Sequence, residues 1–187
     1  MKKEILYMIC LNLIPRIGPK LAKKLIAHCG GAKGIFEVSG SILQKIPQIG
    51  SVLAKEISTQ NVLKRADLEL AYCKENGIRV LTYKCPAYPK RLLHCEDAPT
   101  VLYVKGNTNL NSPKIISVAG NRKAISYGKK WTQLIIEQLR SHQCVIVSGL
   151  AYGVDTFAYK AALANDLATV GVLGHGLDRI FLHQIEI

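Results

Sequence analysis

The spacing of apolar residues changes along the chain. Over residues 1–65 they recur at helical spacing. Within that stretch Ile14-Pro15-Arg16-Ile17-Gly18-Pro19-Lys20-Leu21-Ala22-Lys23-Lys24-Leu25 aligns with Ile46-Pro47-Gln48-Ile49-Gly50-Ser51-Val52-Leu53-Ala54-Lys55-Glu56-Ile57. The offset is 32 residues, and Ile, Pro, Ile, Gly, Leu, Ala and Lys match in place. Each copy reads as a tight turn followed by a short helix. Gly18 and Gly50 are expected to supply the freedom of the turn. Leu21 and Leu25, or Leu53 and Ile57, form the buried stripe. A further helix is predicted before each hairpin, at about 3–13 and 39–46, which makes the region all helical.

Beyond residue 65 the period shortens. Leu68–Glu75 continues a helix that Gly77 stops. Ile78–Tyr83 is a strand by its β-branched content. Pro86, Pro89 and Pro99 mark an irregular stretch, and Val101–Val104 is a second short strand that ends at Gly106. From Pro113 the pattern alternates. A buried strand (Lys114–Ala119) leads through the loop Gly120-Asn121-Arg122-Lys123 to an amphipathic helix at 126–141. The strand Cys144–Val147 leads through Ser148–Gly153 to a helix that opens at Asp155 or Thr156 and runs to about Leu163. The strand Thr169–Leu173 ends in the loop Gly174–Asp178. Strand, helix, strand, helix, strand implies a parallel sheet with right-handed crossovers. The fold class is therefore α/β, with a helical domain at 1–65 and a second domain at 66–187. The second domain comprises a connector at 66–112 and a βαβαβ core at 113–187.

Composition adds one feature. The chain has 187 residues, 49% apolar and 20% charged, as a folded domain or pair of domains requires, but its net charge is +12. Residues 1–65 carry eleven Lys/Arg against three Asp/Glu, so most of the excess lies there. Such a module attracts polyanions, of which nucleic acid is the commonest. The six cysteines have no C-x-x-C pair, and Cys85, His94 and Cys95 lack a fourth ligand at zinc spacing, so no metal is expected. No signal-peptide apolar run follows Lys2-Lys3-Glu4, and no apolar stretch approaches a membrane span. A cytoplasmic protein with reduced thiols and no membrane contact is the natural reading.

The candidate chemistry lies in the glycine loops. Ligands of parallel sheets sit outside the C-terminal strand ends, where backbone N–H groups and helix dipoles make anion sites. All three loops of the C-terminal region lie there. Arg122 can hold a phosphate bidentately, and Ser148 and Gly149 can donate hydrogen bonds. Asp155 reads as a helix N-cap. Tyr127, Tyr152, Tyr159 and Trp131 offer rings for stacking on bases, although Trp131, lying on a helix, reads as core. In the helical region, hairpin N–H groups at Gly18 and Gly50 can face a phosphate, with Lys20, Lys23 and Lys24 adding charge. Arg16 and Gln48 stand where helix-hairpin-helix units carry their first glycine. No dinucleotide or P-loop fingerprint and no catalytic constellation appears, so no enzyme and no cofactor are expected. Two other readings stay open. One is a nucleotide-binding or nucleotide-hydrolysing enzyme using Asp155 or Asp178. The other is a helical protein-interaction adaptor using residues 1–65.

Several motifs resemble the DNA-processing protein A (DprA/Smf) family. Gly120-Asn121-Arg122-Lys123-Ala124, followed by Ser126-Tyr127-Gly128, is similar to its Gly-Ser/Thr-Arg pattern, with Asn121 in place of Ser or Thr. Ser148-Gly149-Leu150-Ala151-Tyr152-Gly153-Val154-Asp155 resembles its S-G-L-A-x-G-I-D loop. Thr169 to Ile180 resembles its third signature. Leu81-Thr82-Tyr83, Tyr88-Pro89-Lys90-Arg91-Leu92, Ala98-Pro99 and Leu102-Tyr103 fit its connector. The resemblance implies a SAM-like or helix-hairpin-helix domain followed by a Rossmann-like domain. It also implies single-stranded DNA as ligand, loading of RecA recombinase during natural transformation, a homodimer, and no enzymatic activity. Gly120, Asn121, Arg122, Ser148, Gly149, Gly174 and Gly176 would line the phosphate pocket. The family continues for about a hundred residues past the third strand, on domain-size grounds as well. Its F-x-x-R-N-R motif and much of its dimer and RecA surface fall in that part. Here Phe181-Leu182 stands where Tyr-Pro is expected and the chain ends at Ile187, so it reads as truncated within the Rossmann-like domain.

Overall fold

In the computed structural model, which describes residues 2–59 and 61–178, the helical period of the first third becomes five helices. They are α1 (Lys2–Leu13), α2 (Pro19–His28), α3 (Ala32–Glu37), α4 (Gly40–Leu43) and α5 (Ser51–Thr59). Ile14, Ile17, Ala22 and Leu25 and their repeat equivalents Ile46, Ile49, Ala54 and Ile57 are all buried in one core. Leu21 and Leu53 pack against that core half-buried. The turn freedom does not reside in the glycines. Gly18 is extended at φ −79°, and the left-handed residues are Arg16 (φ 65°) and Gln48 (φ 77°). The strain of a side chain at positive φ is thus repeated at equivalent positions.

Reciprocal contacts join the two copies. Arg16 Nη1 lies 3.7 Å from Glu56 Oε1. Lys24 Nζ donates to Gln48 Oε1 and to the Pro47 carbonyl, each at 3.4 Å. Arg16 is the equivalent of Gln48, and Lys24 of Glu56. Each hairpin therefore meets the helix of the other copy, as a local approximate twofold demands.

The chain divides into two units, Met1–Gly106 and Asn107–Ile187. This moves the expected boundary at residue 65. Helix α6 (Leu63–Glu75) runs straight through that position and packs on α1. Strands β1 (Arg79–Thr82) and β2 (Val101–Val104) pair antiparallel, with Arg79 opposite Val104 and Thr82 opposite Val101. Val101 is buried in the helical core, and Val80, Tyr83 and Tyr103 pack against it. The long connection between the strands is pinned by buried Tyr88, whose hydroxyl donates to the Pro99 carbonyl at 2.7 Å. The Tyr103 hydroxyl donates to Glu69 of α6. The connector completes the helical unit because its apolar residues find their cover there.

The second unit holds a parallel sheet in the order β3 (Ile115–Ser117), β4 (Val145–Gly149), β5 (Thr169–Val172). Helices α7 (Ser126–Gln138) and α8 (Val154–Ala164) supply the crossovers and pack against each other. Ile136 of α7 and Ala158, Ala161 and Ala162 of α8 cluster with Ile146 of the central strand. The alternation read from the sequence is thus present as an α/β unit whose strand C-termini share one edge. Among the described residues no helix is long and apolar enough to cross a membrane.

Candidate nucleic-acid interface

In the second unit the loop after β3 and the loop after β4 are interlocked. Gly153 caps α8 at φ +86°, and a Cβ there would overlap the carbonyl groups of Asn121 and Arg122. The Val154 N–H donates to the Asn121 carbonyl at 3.2 Å. From the other side, a Cβ on Gly120 would lie 2.6 Å from Val154 Cγ2. Two close approaches and one hydrogen bond thus fasten the first loop to the start of α8. Within that loop the Lys123 N–H donates to Asn121 Oδ1 at 2.9 Å, an Asx turn that commits the side-chain oxygen to local structure. Arg122 projects from this fixed base. It is exposed and makes no hydrogen bond or ion pair among the described residues.

Ser148 and Gly149, expected in the loop, are the last residues of β4. The Ser148 side chain is buried at 5% exposure, and its Oγ has no partner among the described residues. Its carbonyl accepts from the Tyr159 hydroxyl at 2.6 Å, and the same hydroxyl lies 3.2 Å from the Val170 carbonyl. Tyr159 therefore ties α8 to two adjacent strands and is buried, which removes it from the rings available to bases. Burial, reinforced by Asp155 and opposed by the Ser148 hydrogen bond, pushes its hydroxyl up to about 12. Gly149 lies against Asp155: a Cβ there would be 2.9 Å from Asp155 Oδ2, so the carboxylate would have to shift.

Asp155 is not the cap of α8. That position belongs to Gly153, with no side-chain cap hydrogen bond, and the buried Asp155 sits in the first turn. There its charge complements the helix dipole. The Thr156 hydroxyl donates to the Ala151 carbonyl at 2.8 Å and closes the turn.

The third loop leaves the same edge of the sheet. Gly174 is open, while the Asp178 carboxylate occupies the space a Cβ on Gly176 would take. His175 Nδ1 lies 2.8 Å from the Gly176 carbonyl. Arg179 and Ile180 of the third signature, Phe181-Leu182 and the remaining residues to Ile187 lie outside the described residues. The structure thus brings Gly120, Asn121 and Arg122 together with Gly153 and Val154, and sets Ser148 and Gly149 on the strand behind them. Sequence reasoning missed Gly153 and Val154 as the seat of the loop, although the second glycine of S-G-L-A-x-G carried the signal. It also read Trp131 as core. Trp131 is 44% exposed and Tyr127 68% exposed, with ring centroids 5.9 Å apart.

In the first unit Gly18 and Gly50 are open, with nothing near an added Cβ. The cations expected beside them are engaged. Lys20 Nζ donates to Glu96 Oε2 at 2.7 Å, and Lys23 Nζ to the Glu96 carbonyl at 3.0 Å. The hydrogen bond to Lys20, with its charge, holds the Glu96 carboxyl below its ordinary range and raises the Lys20 ammonium. Lys24 is held by Pro47 and Gln48.

Comparison with known proteins gives a consistent family. The family described as DNA recombination-mediator protein A matches residues 79–186. The Smf protein of Synechocystis is 27% identical over 185 residues, 97% of this chain and 46% of that protein. The DNA processing protein DprA of Streptococcus pneumoniae is 43% identical over 91 residues, 49% of this chain and 32% of that protein. The DprA of Bacillus subtilis is 29% identical over 176 residues, 92% of this chain and 59% of that protein. The X-ray structure of the Streptococcus pneumoniae protein superposes with a TM-score of 0.73 at 27% identity. That match covers 94% of this chain and 60% of the other. The chain spans less than two thirds of the length of each of these relatives.

Proposed function

Because the chain belongs to the DNA recombination-mediator protein A family, the DprA/Smf proteins, and shares their Rossmann-like fold, we propose that it binds single-stranded DNA in the cytoplasm. It would shield DNA entering the cell during natural transformation and present it to RecA recombinase, as a binding protein without a catalytic step. The observation that carries the reading is Arg122, a guanidinium unpaired among the described residues, on a loop whose backbone is locked to the first turn of α8. A phosphate placed against it meets a bidentate donor on a backbone held in place by the Asn121 turn and the start of α8. Preorganisation matters, because a loop already fixed loses little entropy when it binds. Gly120 and Asn121 shape this seat, Ser148 and Gly149 support it from β4, and Gly174 and Gly176 extend it along the same edge. Gly18, Gly50 and the lysines of α2 form a second, weaker backbone contact in the first unit.

The test is a salt series with a labelled single strand and a duplex of the same sequence. The single strand binds more tightly, and log affinity falls with log salt by about 0.7 for each phosphate neutralised. Absence of binding at low salt, or binding that ignores salt, overturns the reading. A nuclease-protection assay and RecA filament formation on the same oligonucleotide test the shielding and loading steps separately.

A further inference from the structure

Helix α7 carries two apolar stripes, and only one is used. Ile136 is buried in the second unit's core, and Thr132, one turn before it, is buried too. On the opposite side Tyr127, Trp131, Leu134 and Ile135 lie at i, i+4, i+7 and i+8 and are all exposed, with Ile125 at the N-cap 73% exposed. An amphipathic surface helix presents polar residues to water, so this stripe is not explained by packing within the described residues. Along the chain its aromatic, N-terminal end is one-signed. From residue 122 to residue 136 the chain carries Arg122, Lys123, Lys129 and Lys130 and no acidic residue. Lys130 stands three residues from Tyr127, on the flank of the stripe. Side chains on a helix lean toward its N-terminus. The Tyr127 and Trp131 rings therefore lean toward the loop that presents Arg122. Their planes meet at 58°, so the two rings offer two differently inclined faces rather than one stacked pair.

From this arrangement we infer that Tyr127 and Trp131 form a base-stacking platform for single-stranded nucleic acid, adjoining the Arg122 phosphate seat and selecting single strands over duplex. The inference rests on the phosphate reading of the Arg122 loop. The occupant follows from the chemistry. A surface whose aromatic end follows Arg122 and Lys123 and is flanked by Lys130, with the helix's acidic residue, Glu137, at its far end, suits a polyanion that carries flat apolar rings, and a single strand has both. In a duplex the bases already stack on one another, so their faces are closed to Tyr127 and Trp131. Phosphate contacts alone do not distinguish the two forms by this means, whereas an aromatic platform does. An apolar peptide would gain nothing from Arg122, Lys123 and Lys130.

Trp131 is the only tryptophan in the sequence, so its emission reports on the platform. Labelled oligothymidylate is titrated into the whole chain at low salt, with anisotropy and tryptophan emission read together. Inorganic polyphosphate serves as a polyanion without bases. Oligothymidylate is expected to raise the anisotropy and quench Trp131, while polyphosphate displaces it and leaves the emission unchanged. Tyr127→Ala and Trp131→Ala should each weaken single-strand binding about tenfold and leave duplex binding unaltered. Trp131→Phe, which keeps a ring, should recover most of the loss, and it decides the matter if an alanine variant fails to fold. Binding with unchanged emission, alanine variants that bind like the parent, or equal losses for duplex and single strand would each overturn the platform and leave the Arg122 reading standing. Failure of the unaltered chain to bind any strand overturns both. Variants that change only the sedimentation of the protein would overturn the platform by assigning the stripe to protein contact.

Discussion

The two units handle positive charge in opposite ways. The first third of the chain holds most of the excess of Lys and Arg. Yet Lys20 and Lys23 are held by Glu96, Lys24 by the second hairpin, and Arg16 lies against Glu56. The second unit has a smaller excess, but Arg122 is left without a partner among the described residues, on a loop fastened to α8. Net charge measures attraction at long range and says little about where a phosphate is held. A binding site needs a cation that the protein has not already satisfied, on a backbone that does not have to be ordered first.

Four variants and one paired control test this contrast, from the largest expected effect to the smallest. Gly153→Ala places a Cβ at positive φ and onto the Asn121 and Arg122 carbonyl groups. It should cost about 3 kcal/mol or more of stability and abolish strand binding with it. Thermal melting alongside the binding assay checks this, and a variant that melts normally would show that the two loops are not interlocked. Arg122→Ala should weaken single-strand binding by about 1.5–3 kcal/mol with an unchanged melting temperature. The paired control Lys20→Ala with Lys24→Ala should weaken it far less, and the reverse ranking would relocate the site to the hairpins.

Tyr159→Phe removes the hydroxyl that donates to the Ser148 carbonyl and should destabilise the protein by about 1 kcal/mol. The same tyrosine predicts a pH response. Its folded pKa, about 12, lies above the ordinary value of 10.0. The stabilisation is therefore complete below pH 10 and is lost as the pH rises toward 12. Denaturant melts across that window should show the decline in the parent, and Tyr159→Phe should remove this residue's part of it. Smallest of all, Glu96→Gln should release Lys20 and steepen the salt dependence of polyanion binding by about 0.7, one phosphate's worth. An unchanged slope would mean that Lys20 is already available while paired.

The pattern of the chain made the second unit legible because each of its strands is a short β-branched run ending near glycine, and each crossover has a helical period. The errors have physical origins. Ser148 and Gly149 read as loop because glycine normally ends a strand, but here the pairing with β5 continues through Gly149, which lies opposite Val172. Trp131 read as core because a large aromatic on a helix is usually buried, and no periodicity distinguishes a stripe facing the core from one facing a ligand. The boundary at residue 65 followed the end of the repeat-bearing stretch, which α6 runs across. Helix α3 went unread because Gly30-Gly31-Ala32-Lys33-Gly34 has the composition of a turn. The left-handed Arg16 and Gln48 were assigned to neighbouring glycines because glycine is the usual bearer of positive φ.

The reciprocal clasp between Arg16 and Glu56 on one side and Lys24 and Gln48 on the other makes the first unit a dimer written on one chain. Its two halves share a core that neither copy could complete alone. As long as the connection between the hairpins is intact, each half meets the other at the millimolar effective concentration a short tether provides, however dilute the protein. A single cut between α3 and α4 would turn that encounter into a bimolecular one. The stability of the helical unit would then depend on concentration, as it does for an obligate dimer.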